Sequence, residues 1–512
     1  MKANLKKPCI ENGSSFFPGP HLLCKAKWMS LTPLRDAYAV LIVSALALAP
    51  AWINYDIISN DGASYYLPIT ELLREGKFLE NIHSGLRPLI VPLYEILIAV
   101  TATITGLGLE TSGRLVSAVC FLLAAVGMYK TADVLFRNRA ISFVSVLLLL
   151  ANRELLECSV DCLKESLLAA LVIWGNFFML KGLPVQGRAR FILLGCAFFL
   201  AGGFVRSTSL IFLVAWGLLW VFHRKERLFV RAFVFLLPIL LFLALYYLNS
   251  RYSWEMPLFH RSYNVAVLLK DGFSTFGLLE NFIETIRQFL AKWYYLIAIF
   301  GAIGWCALRR ETYARLFLLV FTLFFLVLAL TEFFTIDRYT ILPVVALYPL
   351  AAYALVSSLR SGNRFAKMAA GLTIVFCFFL WGQKAFTPAD PHKVARKEAG
   401  EWIVSRVGPR KELVTNKTSI GFYARTTPYD IVALTDLESD SQVIAKKSKY
   451  SYFKRKKVRA SDLSDAHGLT MVVALDLDDK ARETGLIKQK LEAWRLEPDK
   501  TIGTIEIYLP GS

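Results

Sequence analysis

Charge is what most of this chain lacks. Only 19 % of its 512 residues are charged, against 55 % hydrophobic and 13 % aromatic; soluble domains average about 25 % charged. The deficit is local. Runs such as Ile141–Leu150 and Phe317–Leu330 carry no charge at all, whereas residues beyond about 388 read as ordinary soluble protein. Such a pattern excludes a soluble enzyme, a disordered chain and a coiled coil, and describes a polytopic membrane protein with a soluble tail.

Other absences narrow the class further. There is neither a Walker loop nor a strand-borne GxGxxG, so a nucleotide-driven pump and a dehydrogenase have no support. The eight cysteines form no disulfide or zinc framework, because most stand singly within apolar runs (Cys120, Cys196, Cys306, Cys377). Cys158 and Cys162 flank Asp161 at helical spacing but have no partner ligands beside them. The first apolar run starts near Asp36, too late for an ordinary signal peptide and without a small-residue cleavage site, and reads as a retained first helix.

Basic residues are abundant: 58 Lys and Arg against 40 Asp and Glu, a net charge of +18. In a soluble protein that balance would suggest nucleic acid; here the excess lies in short loops, where it sets topology, and no nucleic-acid partner is expected. A spanning helix needs about 20 mostly apolar residues. The stretches 36–53, 112–134, 140–157, 165–181, 190–205, 207–222, 229–249, 289–307, 314–333, 339–357 and 366–383 qualify. A further apolar segment, 88–106, opens with Arg87-Pro88, holds Pro92 and Glu95, and ends in a Thr/Gly-rich stretch. If it lies in the interface or re-enters, one side collects all the basic loops, at Arg137/Arg139, Lys181/Arg188/Arg190, Arg224/Lys225/Arg227, Arg309/Arg310/Arg315 and Arg360/Arg364/Lys367. The basic N-terminal tail joins them, which is the positive-inside pattern. Were it a full crossing, every later basic loop would move outside. The expectation is a polytopic α-helical protein of the inner (cytoplasmic) membrane with about eleven transmembrane helices. Residues 1–35 form a cytoplasmic tail, 36–384 the membrane domain with an outer loop 54–110, and 385–512 an extracytoplasmic α/β domain.

In the tail, Pro391–Val407 reads as an amphipathic helix with Trp402 and Ile403 on its apolar face. Strand-like runs follow at 413–415, 431–434, 471–475 and 504–509, with a helix near 481–494, an alternation that points to a small α/β domain. The basic run Lys446 to Arg459, interleaved with Tyr450, Tyr452 and Phe453, is either a solvated loop or a contact for anionic lipid headgroups or an anionic acceptor.

Chemistry-bearing groups gather on the outer side. Asp61 stands just past the first helix, in Ser59-Asn60-Asp61-Gly62-Ala63-Ser64-Tyr65-Tyr66, followed by Glu71, Glu75, His83 and the segment Arg87-Pro88 to Leu93-Tyr94. This arrangement resembles the GT-C glycosyltransferases, membrane enzymes that use polyprenyl-phosphate sugars. Within them it is most similar to the protein O-mannosyltransferase and lipid A aminoarabinose transferase branch. Asn152 to Leu168, with Asp161 and Glu165 opening a helix, resembles that branch's second acidic outer site. Gly202-Gly203-Phe204-Val205-Arg206-Ser207 resembles its Arg-containing turn, and Asp337-Arg338-Tyr339-Thr340-Ile341-Leu342-Pro343 the start of a late helix. Glu401-Trp402-Ile403 and Gly421-Phe422-Tyr423-Ala424 are similar to parts of its outer domain. One departure stands out: Asp61 is followed by Gly rather than by a second acid.

The resemblance implies an inverting transfer of a sugar from an undecaprenyl-type phosphate to a lipid, glycan or protein acceptor among membrane lipids. The residues suit that chemistry. An acceptor hydroxyl or amine needs a base, for which Asp61 is the candidate if the helix end and nearby aromatics partly desolvate it. Arg206 and Arg338, the latter followed by Tyr339, lie at outer helix ends where a lipid phosphate sits, and a guanidinium forks onto phosphate; either also suits an interfacial anchor. Asp161 and Glu165, one helical turn apart, are expected to share a face and to orient the acceptor or hold a cation, or else to cap a helix N-terminus. A divalent metal ion, if required, has His83 and His260 as the outer histidines before the tail. The competing reading is a transporter or flippase of lipid-linked saccharides. It calls for ionisable residues near the bilayer midplane and for internal repeats, neither of which is evident. A non-enzymatic assembly subunit is the third class, distinguished by whether Asp61 is dispensable.

Overall fold

The computed structural model describes residues 33–54, 62, 66–76, 92–182, 189–223, 240, 283, 295–331, 341–388, 390–408, 413–415, 417–425, 431–433, 464–465, 468–469, 472–477, 488–489, 491–492 and 496–509. Asp61, His83, His260, Arg338, Tyr339 and the basic run 446–459 lie outside the described residues, as does most of the expected helix near 481–494.

The apolar runs form helices: α1 (Pro33–Asn54), α2 (Leu67–Arg74), α3 (Leu93–Thr105), α4 (Leu109–Phe136), α5 (Arg139–Leu150), α6 (Arg153–Val160) and α7 (Glu165–Gly182). After them come α8 (Ala189–Val205), α9 (Leu210–His223), α10 (Tyr295–Leu308), α11 (Thr312–Thr331), α12 (Ile341–Arg360) and α13 (Arg364–Ala385). Among the described residues, helices occupy every expected span except 229–249, of which only Leu240 is described. Five of them, α1, α4, α7, α12 and α13, are long and apolar enough to cross a membrane. The intervening apolar helices are shorter.

Asparagine caps cut the apolar runs into these pieces. Asn138 Oδ1 accepts from the amides of Ala140 (3.1 Å) and Ile141 (3.4 Å), starting α5. Asn152 Oδ1 accepts from Leu155 N at 2.9 Å and starts a new helix, α6. Asn363 starts α13 in the same way. Such caps satisfy amides that the first helical turn leaves unpaired. The single helix expected over 140–157 is therefore two helices, broken at Ala151-Asn152. The segment 88–106 holds only the 13-residue helix α3, ended by Gly106 at φ 71°. It rises about 20 Å, less than the roughly 30 Å of hydrocarbon a spanning helix must cross.

α12 is the axis of the bundle, buried from Ile341 to Ser358. α10 approaches it through glycine: a Cβ on Gly304 would run into the Leu350 carbonyl oxygen. α1 and α13 stand at the periphery, with 28 % and 22 % of their apolar stretches buried. At one end of the bundle, Asp36 of α1 receives Arg139 Nε (2.8 Å), Arg139 Nη2 (2.5 Å) and the Tyr129 hydroxyl (2.6 Å), tying α1, α4 and α5 together.

The other end carries the tail. Helix α14 (Pro391–Val407) is capped by Asp390, whose side chain accepts from His392 N at 3.0 Å. Beyond it, β1 (Leu413–Thr415), α15 (Thr418–Tyr423), β2 (Ile431–Ala433), the small hairpin β3–β4 (Ser464–Asp465, Gly468–Leu469), β5 (Val472–Asp476), β6 (Lys500–Ile502) and β7 (Ile505–Tyr508) follow. Five strands form one mixed sheet in the order β2-β1-β5-β7-β6. β1 lies parallel to β2 and β5, and β7 antiparallel to β5 and β6. Ala399 and Ile403 of α14 pack with Leu413, Ile420, Val472, Ile505 and Ile507 in a second core. Arg396 Nε donates to buried Asp476 Oδ2 at 2.8 Å, fastening helix to sheet. The unit docks on α4: Tyr423 Oη lies 3.3 Å from Glu110 Oε1 and Lys397 Nζ 4.0 Å from Glu110 Oε2. Asn54 Nδ2 donates to the Ala385 carbonyl at 3.1 Å, joining the ends of α1 and α13.

Candidate active site

The end of the bundle that carries the sheet also gathers the charged groups. Its centre is the connection from α6 to α7. Asp161 ends α6 with an extended backbone, and its Oδ1 accepts from Cys162 N at 2.6 Å. A short polar side chain that captures a neighbouring amide competes with helix continuation. The turn 161–164 follows, and Glu165 opens α7. Asp161 and Glu165 are therefore not one turn apart on a single helix face, as their spacing predicts; they sit on either side of a turn. Both are buried, each with 1 % of its surface exposed.

α4 holds this turn in place. The Ser117 hydroxyl donates to Leu163 O (3.1 Å) and pairs with the Tyr94 hydroxyl (2.8 Å). The Cys162 thiol donates to Glu110 O at 3.3 Å. A Cβ on Gly113 would fall 2.7 Å from Cys162 Sγ, so the close approach of turn and helix depends on glycine there. Arg114 is the strongest tie. Its Nε donates to Val160 O and its Nη2 to Trp52 O, both at 2.9 Å, with the guanidinium 4.7 Å from the Trp52 ring centre. One side chain thereby joins the end of α1 to the end of α6. Sequence reasoning passed over Arg114, although a lone arginine one turn inside an apolar span is the signal that marks it.

Glu165 faces Arg206: Nη2 lies 3.4 Å from Oε1, with the arginine side chain 15 % exposed. Arg206 connects α8 to a short 3-10 turn at Ser207–Ser209. The hairpin is tight: Ser209 Oγ donates to Phe199 O at 3.0 Å, and a Cβ on Gly202 would sit 2.8 Å from Ser209 Oγ. The Gly202-Gly203-Phe204-Val205-Arg206 stretch thus delivers its guanidinium to the acid that begins α7. Lys164, next to that acid, holds its ammonium 5.5 Å from the Tyr66 ring centre, and Tyr66 meets Tyr94 edge-on at 5.5 Å. Glu95, on α3, is buried beside these rings; burial raises its pKa and the nearby Lys164 charge opposes the rise. On the other flank Lys384 Nζ pairs with Glu157 at 2.8 Å.

Burial raises the pKa of the Cys158 and Cys162 thiols, with neighbouring carboxylates adding to the effect. Neither is a reactive thiolate, since such cysteines need a depressed pKa. Among the described residues no three His, Cys, Asp or Glu side chains are grouped to hold a metal ion. The structure brings together Asp161, Glu165 and Arg206; the other expected site residues, Asp61, His83, His260, Arg338 and Tyr339, lie outside the described residues.

Comparison with known proteins bears on this arrangement. Residues 87–250, which span α3 to α9 and include Asp161, Glu165 and Arg206, match the family model described as dolichyl-phosphate-mannose-protein mannosyltransferase. Among solved structures, ArnT from Cupriavidus metallidurans bound to undecaprenyl phosphate is similar at TM-score 0.59 and 15 % identity, covering 93 % of this chain and 97 % of that one. Its apo form reaches TM-score 0.61 at 14 % identity, with 92 % and 97 % covered. The Archaeoglobus fulgidus oligosaccharyltransferase in complex with Zn and sulfate gives TM-score 0.54 at 13 % identity, covering 88 % of this chain and 69 % of that one. No curated protein matches the chain. The chain is a multi-helix membrane protein with the GT-C fold. Residues 87–250 are the part of that fold that matches the mannosyltransferase family model.

Proposed function

We propose that this protein is a glycosyltransferase that moves a sugar from a polyprenyl phosphate of undecaprenyl type to a lipid, glycan or protein acceptor. The observation that carries the proposal is the buried Glu165–Arg206 pair beside Asp161, inside the family-matched segment of a GT-C fold. The site end faces the outside of the cytoplasmic membrane, which leaves Asp36, Arg139 and the basic loops within.

In the reaction the acceptor oxygen or nitrogen attacks the anomeric carbon from the face opposite the phosphate, so the configuration inverts. The bond from that carbon to the phosphate oxygen breaks, and the acceptor proton passes to a carboxylate. Asp61 is that base. Arg206 receives the charge that develops on the leaving phosphate, with Arg338 and Tyr339 assigned to the same group; a charge-assisted fork suits it. Phosphate leaves readily, so no protonating acid is needed. Glu165 is buried against Arg206 and acts by aiming the guanidinium rather than by taking a proton, and Asp161 shapes the turn that presents both. The donor set among the described residues does not fit a metal centre, and no step runs through one; His83 and His260 remain the proposed ligands should one bind.

The test is Asp61→Asn, which keeps shape and hydrogen bonding but removes the proton acceptor. A positioned base contributes roughly 10²–10⁴-fold, so turnover should fall by about that factor while the protein still inserts and binds donor. Mass spectrometry of lipid, glycan and protein fractions from cells with and without the protein reads the product. Full activity in a well-expressed Asp61→Asn protein would sink the mechanism.

A further inference from the structure

One face of α4 grips both the acid-bearing turn and the C-terminal sheet unit. Glu110, Gly113, Arg114 and Ser117 recur at i, i+3, i+4 and i+7, the spacing of a single helix face. All four meet the connection 160–163. The Glu110 carbonyl accepts from the Cys162 thiol at 3.3 Å, and Gly113 leaves room for Cys162 Sγ. Arg114 Nε donates to Val160 O at 2.9 Å and the Ser117 hydroxyl to Leu163 O at 3.1 Å. The turn that carries Asp161 and leads to Glu165 is thus registered against the start of α4.

Glu110 also faces the other way. Its carboxylate is where the sheet unit lands: Tyr423 Oη donates to Oε1 at 3.3 Å, and Lys397 Nζ stands 4.0 Å from Oε2. Lys397 also lies 5.5 Å from the Tyr423 ring centre, and that ring joins the bundle's apolar core with Val394 and Phe422 packed against it. Main chain and side chain of one residue therefore receive the turn and the sheet unit.

The start of α4 depends on such contacts. Its N-cap residue is Gly108, which has no side chain to accept from the first amides, and Gly106 at φ 71° precedes it. A first turn without a side-chain cap is prone to fray. The landing pins that turn, and with it the carbonyl that holds Cys162. The unit's other ties do not pass through Glu110: Lys384 pairs with Glu157 and Asn54 with Ala385 at its root, and Arg396 with Asp476 inside it. Glu110 and Lys397 keep 21 % and 32 % of their side chains exposed, and exposed pairs contribute little to stability. A change at either residue therefore loosens the landing while the unit stays folded and attached.

We infer that the sheet unit is a positioning element of the reaction: docked on Glu110, it holds the start of α4, and through it the 160–165 connection, where Glu165 meets Arg206. Glu110 and Lys397 are positioning residues, since they act through the turn. The inference rests on the glycosyl-transfer reading above and assigns that site a regulating surface.

The experiment uses the full-length protein in phospholipid nanodiscs with N-ethylmaleimide as the probe. Peptide mass spectrometry follows alkylation of Cys162, with buried Cys158 on α6 as the internal reference. Lys397→Glu sets two carboxylates face to face and should raise the Cys162 rate about fivefold relative to Cys158, as local opening exposes it. In cells with equal protein, the same variant should lower the Asp61-dependent product about tenfold, the scale of a slightly misplaced site. Adding Glu110→Gln removes the repulsion while its amide oxygen still accepts from Tyr423, and should restore most of both readouts. Lys500→Glu, exposed on the edge strand β6, reverses a charge elsewhere in the unit and should move neither. An unchanged Cys162 rate in Lys397→Glu would overturn the inference, as would a loss of product that Glu110→Gln fails to repair. Exposure of Cys158 and Cys162 together would mean a loosened bundle and overturn it too, as would the same effects in Lys500→Glu. Should Lys397→Glu fail to accumulate, Tyr423→Phe, which removes only a hydroxyl, should shift the cysteine ratio in the same direction; no shift there counts against the coupling. If the wild type yields no Asp61-dependent product, the transferase reading fails, while the cysteine ratio still decides whether the sheet unit holds the turn.

Discussion

Arg206 and Glu165 carry the most information of any pair in the molecule. Taking one member from a buried ion pair typically costs about 3–5 kcal/mol because the other is left uncompensated, so a structural role alone predicts an unstable protein. The proposed role predicts something more selective. Arg206→Gln should weaken donor use by about 1.5–3 kcal/mol, the worth of charged hydrogen bonds, and Arg206→Lys should restore part of it, since an ammonium lacks the fork. Glu165→Gln keeps the shape but loosens the guanidinium, so donor KM should rise while kcat changes little. Steady-state kinetics against a polyprenyl-phosphate donor separate the cases. A uniform loss of protein in every variant points to structure only, and unchanged donor kinetics in Arg206→Gln remove it from the site. Arg206 was legible in the sequence because a Gly-Gly turn followed by arginine at a helix end is a local pattern. Glu165 was legible too, as an acid opening a helix, but not its pairing with Arg206. The pairing links residues 41 apart in number through two helices, and no spacing rule reports a contact of that kind. The same limit hid Arg114, whose hydrogen bonds reach back to Trp52 and on to Val160.

At the scale of elements, hydropathy located the helices well, since α1, α4, α7, α12 and α13 fall within a few residues of the expected spans. It failed where polar chemistry interrupts an apolar run. Ala151-Asn152 lies inside 140–157 and costs that window little hydrophobicity, yet Asn152 ends one helix and caps the next. Its side chain acts twice: Oδ1 accepts from Leu155 N, and Nδ2 donates to the Tyr348 hydroxyl at 2.7 Å on the central helix. Asn152→Ala should therefore cost more than the 0.5–2 kcal/mol of a lost cap, because buried Tyr348 loses its partner as well. Thermal unfolding in detergent measures the loss. Asn152→Asp, which keeps the cap but cannot donate to Tyr348, should fall between alanine and wild type. If alanine and aspartate prove equally mild, α6 is held by its packing on α4 and not by the cap. The break matters because it starts α6, the short helix that runs to Val160 and leads into the turn at Asp161.

The whole molecule is polarised. One end has the Asp36–Arg139–Tyr129 cluster and the chain ends that lead into the basic loops. The opposite end has Asp161, Glu165, Arg206, Lys384 and the mixed sheet, which docks on Glu110 through Tyr423 and Lys397. Sheet and charged site thus occupy the same side of the bundle, whichever side of the membrane that is. The orientation proposed from loop charge puts both outside, provided 88–106 does not cross. α3 supports that proviso by its packing, since its Tyr94 and Ile98 lie against Gly113 and Ser117 near the start of α4. The turn at Gly106–Gly108, where Leu107 is exposed, should then face the same compartment as the sheet. In a Cys306→Ser background, Leu107→Cys should react with a membrane-impermeant maleimide applied to intact spheroplasts, and a reporter fused after Ser512 should be active only where periplasmic enzymes are. Protection of Leu107→Cys together with a cytoplasm-active reporter would invert the molecule and place its site inside. A split result, with Leu107→Cys labelled and the reporter cytoplasmic, contradicts the Tyr423–Glu110 contact, because no chain can dock its tail on a helix end across the bilayer.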